Sequence, residues 1–194
     1  MLWLVLVLFL SVAIAILRGG RLSSLGDIHL RLWWLLPLSF AMQFAARYVP
    51  EQRSGLGVGL VLVSYAPLVL LVLFNRDRPG LWLAGLGVLM NFTVILINGG
   101  MPVLAEAAEV ASGFAPGEPV IAESYKHVVL DRDSLLPFFA DVIPIRIASY
   151  GQVLSLGDIS LAVGLGRFIE SELRRPIRWF KRGARAEAGS AARL

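Results

Sequence analysis

The chain contains no cysteine, which excludes disulfides, thiolate metal sites, iron–sulfur clusters and c-type haem. Histidine is almost as scarce. His29 and His127 are the only two, and neither lies deep inside an apolar run, which argues against a haem held between two membrane-helix histidines. Charge is the third shortage, at 16% of residues, where a soluble domain carries about 25%. What is abundant is hydrocarbon: 57% hydrophobic side chains in 194 residues, with a mean hydropathy of +0.72. A chain of this size and composition has too little polar surface to cover itself in water. That argues against a soluble globular enzyme, a disordered chain or a nucleic-acid module, and for an integral membrane protein. The net charge of +4 and pI near 10.0 do not restore a nucleic-acid partner, because the basic residues sit beside the apolar runs.

A membrane-spanning helix needs about 20 mostly apolar residues to cross roughly 30 Å. Five segments are read as spans: 1–17, 28–49, 56–74, 80–98 and 153–170. The first has Ser11 as its only polar side chain. The second contains Arg31, Pro37 and Gln43, the third Ser64 and Tyr65, and the fourth Asn91 and Thr93. The fifth carries Asp158 near its start and Arg167 near its end. The predicted fold is therefore all-α and polytopic, with five transmembrane helices forming one domain over 1–170. A structured outer segment, 99–152, joins the last two helices, and a basic amphipathic tail follows over 171–194.

Basic residues flanking spans mark the cytoplasmic side. Arg18 and Arg21 lie in the first loop, Arg76 and Arg78 in the third. The tail holds Arg174, Arg175, Arg178, Lys181, Arg182, Arg185 and Arg193. The fourth loop is acidic on balance, with Glu106, Glu109, Glu118, Glu123, Asp131, Asp133 and Asp141 against Lys126, Arg132 and Arg146. The expectation is a multi-pass protein of a bacterial inner membrane, N-terminus outside and C-terminus cytoplasmic. Ala13-Ile14-Ala15 looks like a signal-peptide cleavage site, but no basic residue precedes the apolar run, so an uncleaved anchor is expected. In the tail, Ile177, Trp179 and Phe180 alternate with basic residues, as in a helix lying on an anionic leaflet.

Ser155-Leu156-Gly157-Asp158 has the spacing of a capping box. The same Ser-Leu-Gly-Asp-Ile string recurs at residues 24–28. Internal duplication is one reading; two helix starts using the same capping chemistry is the reading preferred. Small residues four apart, Ser160 and Gly164, Ala162 and Gly166, Gly80 and Ala84, Gly55 and Gly59, predict close helix packing.

The outer segment is too long for a plain connector and too apolar for a solvated loop. Met101 to Ser112 reads as a short helix, residues 124–130 as a short extended or helical run, and Leu135-Leu136-Pro137-Phe138-Phe139 as an apolar knot capped by Asp131-Arg132-Asp133-Ser134. The segment is expected to lie as a lid over the bundle. Asn98-Gly99-Gly100-Met101-Pro102-Val103, His127-Val128-Val129-Leu130, Leu136-Pro137-Phe138, Asp141, Ile143-Pro144 and Ser155-Leu156-Gly157-Asp158 occur in that order, after Arg18-Gly19-Gly20-Arg21-Leu22-Ser23. In this the chain resembles an uncharacterised bacterial family of small multi-pass membrane proteins, a domain of unknown function. The resemblance covers nearly the whole chain and implies the topology, with no chemistry attached.

The polar residues expected under the lid are Asn98, His127, Asp131, Asp133, Asp141, Arg146 and Asp158. One reading pairs His127 with an aspartate as a general acid/base or a metal site. The preferred reading is that these groups fix the lid, since one histidine among scattered aspartates has no metal-ligand spacing. Gly99 and Gly100 are a candidate anion site through exposed backbone amides, against a plain helix stop. Asn91 and Gln43 are read as interhelical hydrogen-bonding groups. The middle halves of the first four spans hold no ionisable side chain, which argues against a proton pump or ion channel. No cofactor or metal is expected. The expected partners are membrane lipids and other membrane-protein subunits. The function expected is non-catalytic, an accessory, scaffold or lipid-associated subunit; the alternative is a lipid-directed enzyme or carrier with its site under residues 99–152.

Overall fold

The computed structural model describes residues 2–50, 54–113, 127–147 and 150–174. Helix α1 runs over Leu2–Leu17, α2 over Leu35–Ala46, α3 over Ser54–Phe74 and α4 over Leu81–Asn98. A short α5, Ala105–Ser112, lies in the outer segment, and α6 runs over Leu156–Leu173. Helices α3 and α4 follow the apolar runs almost residue for residue. A tight turn joins them, and glycines in the left-handed region bound α4 on both sides, Gly80 at φ 86° and Gly99 at φ 68°. A side chain is strained in that conformation, and glycine is not.

Five transmembrane helices is not the architecture. Among the described residues only Gly55–Phe74 and Leu81–Asn98 are long and apolar enough to cross a bilayer. Helix α2 has 12 residues, about 18 Å at 1.5 Å per residue. The predicted span 28–49 fails because Arg31–Trp34 is a turn, with Leu32 at φ 56°, and the helix begins only at Leu35. That turn is held from outside: the Arg31 amide donates to Asn75 Oδ1 at 2.8 Å, and Asn75 Nδ2 donates to the Arg31 carbonyl at 2.9 Å. Helix α1 has 16 residues and is likewise short. Helix α6 is long enough, but it carries Asp158, Arg167, Glu170 and Glu172.

The all-α expectation also needs correcting, because the described residues of the outer segment and its return to α6 include four short strands. β1, Met101–Val103, pairs in parallel with β2, His127–Val129. β3, Ile143–Ile147, pairs antiparallel with β4, Tyr150–Leu154. Val103 also bridges to Asp141, where the Asp141 amide donates to the Pro102 carbonyl and the Leu104 amide to the Asp141 carbonyl, both at 2.9 Å. The edge of β1 is thus satisfied on both sides. Residues 101–103, predicted helical, are strand, and the helix starts at Ala105. α5 packs on the β3–β4 hairpin, close enough that a Cβ on Gly151 would run into the Ala111 backbone. The resulting cap sits at the Asn98 end of α4. The amphipathic tail read over 171–194 and the run at 124–126 fall largely or wholly outside the described residues.

In the bundle α2 packs on α3, α3 on α4, α4 on α6, and α6 on α1. The α4–α6 seam is built from small residues. A Cβ on Gly87 would run into the Gly157 carbonyl, and one on Gly164 into the Ala84 amide. Gly166 faces Ser11 of α1 in the same way. Gly55 and Gly59, by contrast, have open space beside them, so that predicted pair packs against nothing. A core of Ala46, Val61, Tyr65, Val88, Val94, Ile95 and Met101 lies between α3, α4 and the cap.

The two Ser-Leu-Gly-Asp-Ile strings fold differently. Ser155 caps α6 with both reciprocal bonds of a capping box, while Leu22–Asp27 is a 3-10 helical turn without one. The opposite end of α6 is pinned by arginines. Glu170 pairs with Arg18 at 2.7 Å, Arg167 at 3.0 Å and Arg174 at 3.5 Å, and Glu172 pairs with Arg78 at 3.0 Å.

Candidate functional site

Where the bundle meets the cap, Tyr65, Asn91, Ile95, Met101, Asp141 and Asp158 line a small half-open pocket with a cavity volume of about 30 Å³. Each comes from a different structural cause. Asp158 is the third residue of α6, held there by the capping box: its amide donates to Ser155 Oγ at 3.0 Å, and the Ser155 amide donates to Asp158 Oδ2 at 3.2 Å. Asn91 projects from α4 across the glycine seam. Its Nδ2 donates to Asp158 Oδ1 at 2.8 Å, while its Oδ1 accepts from Ser155 Oγ at 3.0 Å. The three side chains close a ring of hydrogen bonds that fixes the carboxylate. Asp141 is carried in on the bridge to β1 and is 7% exposed. Tyr65 enters from α3, 8% exposed, with its ring 5.9 Å from that of Phe92. Its hydroxyl makes no hydrogen bond within the described residues.

Of the seven residues read from the sequence as a polar cluster, two meet here, Asp141 and Asp158. The others do not line the pocket. Asn98 is a clamp: the Leu135 amide donates to its Oδ1 at 2.8 Å and its Nδ2 donates to the Leu135 carbonyl at 3.0 Å. His127 opens β2 opposite Met101. Asp131 and Asp133 lie in an exposed turn, where Asp131 Oδ1 accepts from Ser134 Oγ at 2.8 Å and from the Asp133 amide at 3.0 Å. The Ser134 hydroxyl, with backbone donors behind it, holds the Asp131 carboxyl below its ordinary range. Arg146 is exposed on β3, beside Gly113. Gly99 is the left-handed stop of α4, and Gly100 is buried behind it.

Sequence reasoning did not place Tyr65, Ile95, Met101, Asn91 and Ser155 in a site. Tyr65 was visible only as one of two polar side chains in its apolar run. Among the described residues no three histidine, cysteine, aspartate or glutamate side chains gather as a metal would need. No nucleophile stands beside a base in the pocket. Two carboxylates and a phenol oxygen make it a place for hydrogen-bond donors and positive charge.

Residues 27–170 match a family of unknown function, DUF5317. The chain belongs to DUF5317. All six pocket residues fall inside the matched range, whereas Arg18 and Glu172 of the pinned helix end fall outside it. The DUF5317 match thus covers α2 to α4, most of α6, the cap and the pocket, and leaves α1 outside it. An uncharacterized protein of Thermotoga maritima is 28% identical over 129 residues, covering 65% of this chain and 68% of the relative. No solved structure matches.

Proposed function

We propose that this protein is embedded in a bacterial cytoplasmic membrane and works without catalysis, as an accessory, scaffold or lipid-associated subunit. The supporting observation is the outer surface of its two long apolar helices. Only 33% of the apolar window of α3 and 39% of that of α4 is buried within the protein. Val63, Leu70 and Leu73 on α3, and Leu86, Leu89, Leu96 and Ile97 on α4, face outward. Water penalises that surface and hydrocarbon does not. The α3–α4 hairpin crosses the bilayer with its Arg76–Arg78 turn on the cytoplasmic side. Arg18, Arg167 and Arg174 gather with Glu170 at the opposite end of the bundle from the cap, which supports a cytoplasmic side there and a cap facing outside. The non-catalytic reading is supported by the use of Asn75, Asn98, Glu170 and Glu172 as ties between elements.

Carbonate washing of membranes tests the embedding, since an embedded chain stays in the pellet and a released one overturns the reading. A cytosol-active reporter at Asp77 and a periplasm-active reporter at Asp133 test the orientation; silence from both with the opposite pair lit would reverse it. A stoichiometric partner on gentle purification supports the subunit role, and a monomer that turns over a lipid substrate ends it. The pocket favours one second reading, a lipid-directed enzyme or carrier. That reading expects Asp141→Asn to abolish lipid turnover while leaving the protein in the membrane.

A further inference from the structure

We infer that the pocket beneath the cap receives a primary ammonium group, with Tyr65 Oη and the Asp158 and Asp141 carboxylates as its acceptors. The argument starts from what is already used. Both ends of the Asn91 amide are engaged, one by Asp158 and one by Ser155. Asp158 accepts only from neutral donors, the Asn91 amide and the Ser155 backbone, and forms no ion pair among the described residues. A partly buried carboxylate surrounded by neutral donors is poorly compensated and attracts a cation. The Tyr65 hydroxyl is the independent sign. It is carried by a side chain more than nine-tenths buried, it faces the pocket, and it has no hydrogen-bond partner in the described residues. The oxygen is not sealed in by neighbouring atoms; it opens into the pocket, where an entering donor can reach it.

The class of cation follows from the walls. An ammonium carries three N–H donors and no acceptor, which matches the two carboxylates and the phenol oxygen of the lining. Ile95 and Met101 supply an apolar side for the carbon that bears the nitrogen. A hard metal ion asks for six or more oxygens in a shell, and among the described residues the third acidic or imidazole ligand is missing. The ammonium belongs either to a soluble amine or to an ethanolamine lipid headgroup; the recognition chemistry is shared.

The test is a calorimetric titration of the purified full chain in detergent with methylammonium chloride, using sodium chloride and tetramethylammonium chloride at equal ionic strength as controls. The expected result is saturable methylammonium binding at least about tenfold tighter than either control. Tyr65→Phe weakens it about tenfold, as loss of a hydrogen bond to a charged group does, and Asp158→Asn weakens it further. Tyr65→Phe removes one oxygen and keeps the ring beside Phe92, so the variant's unchanged melting temperature keeps the test readable even where Asp158→Asn unfolds α6. The inference is overturned by non-saturating methylammonium heats, by sodium or tetramethylammonium binding as tightly, or by Tyr65→Phe behaving like the parent. Repeating the titration in phosphatidylglycerol nanodiscs with and without phosphatidylethanolamine assigns the source: competition marks the headgroup, and its absence a soluble amine. The binding does not rest on the membrane reading. Carbonate release would leave a positive titration standing, and a failed titration would leave carbonate retention standing.

Discussion

Two side chains of the cap show how little is needed to set a local structure, and each carries a prediction. Asp131 accepts from Ser134 Oγ and from the Asp133 amide in a turn open to water. Those bonds favour the ionised form, so the folded pKa lies below the unfolded one. Their contribution is therefore present above the ordinary carboxylate range and is lost as pH falls through the lowered value. Ser134→Ala removes the largest cause, and a carbonyl-detected NMR titration should find the Asp131 midpoint moved up towards its ordinary position; an unmoved midpoint would mean the backbone donors hold it alone. Asn98 works differently, since it both donates to and accepts from the Leu135 backbone. Asn98→Ala breaks both bonds and should cost about 1–2 kcal/mol. It should also speed hydrogen exchange at the Leu135 amide, whereas Asn98→Asp keeps the acceptor and should leave that amide protected. Residues such as these were legible in the sequence as polar groups near one end of the bundle. What was not legible was their separation. Asp141 and Asp158 reach the pocket because a strand bridge and a capping box put them there, while Asp131 stays outside because its partner is three residues away. The role of Tyr65 depends on burial by α4, α6 and the cap, and no local pattern around a phenol in an apolar run encodes that.

Among the elements, glycine spacing and glycine function are separable. Gly87 meets the α6 backbone, while Gly59 has nothing beside it. Gly87→Ala should push α4 from α6 and cost about 1–3 kcal/mol or more, as overpacking does. Gly59→Ala should stabilise α3 by about 0.5–1 kcal/mol, because only the helix-propensity cost of glycine is removed. Thermal melts of the two variants in the same detergent, moving in opposite directions, would establish the seam; a common direction would refute it. The sequence pattern, four residues apart, was identical in kind at both places, so spacing alone could not tell packing from chance. Similar limits explain which elements were read correctly. Residues 56–74 and 80–98 announce themselves because an uninterrupted apolar run bounded by turn residues has one solution. Residues 28–49 are a run interrupted by Arg31, Pro37 and Gln43, and Asn75, 44 positions from Arg31, binds the backbone of the Arg31–Trp34 turn and stops the helix from extending. The capping box at Ser155 was legible because its partners are local. The strands of three to five residues were not, since β1 exists only through the distant β2 and Asp141.

At the scale of the whole molecule the decisive quantity is the solvent that the exposed apolar surface meets. Val63 stands near the middle of α3 and is 58% exposed; Phe74, at the helix end, is 50% exposed. In water the two positions are equivalent surface sites, and an arginine at either should change stability by no more than about 0.5 kcal/mol. In a bilayer they are not equivalent. An arginine at the centre of a spanning helix costs about 2.5–3.5 kcal/mol, whereas one at the edge reaches the headgroups and joins Arg76 and Arg78 on the cytoplasmic side. Val63→Arg should therefore deplete the carbonate-resistant membrane fraction several-fold, and Phe74→Arg should leave it nearly unchanged. Equal behaviour of the two would mean that the leucine-rich faces of α3 and α4 do not meet lipid. The same pair separates insertion from folding, because a variant that fails only in insertion still gives the parent's melt once solubilised in detergent.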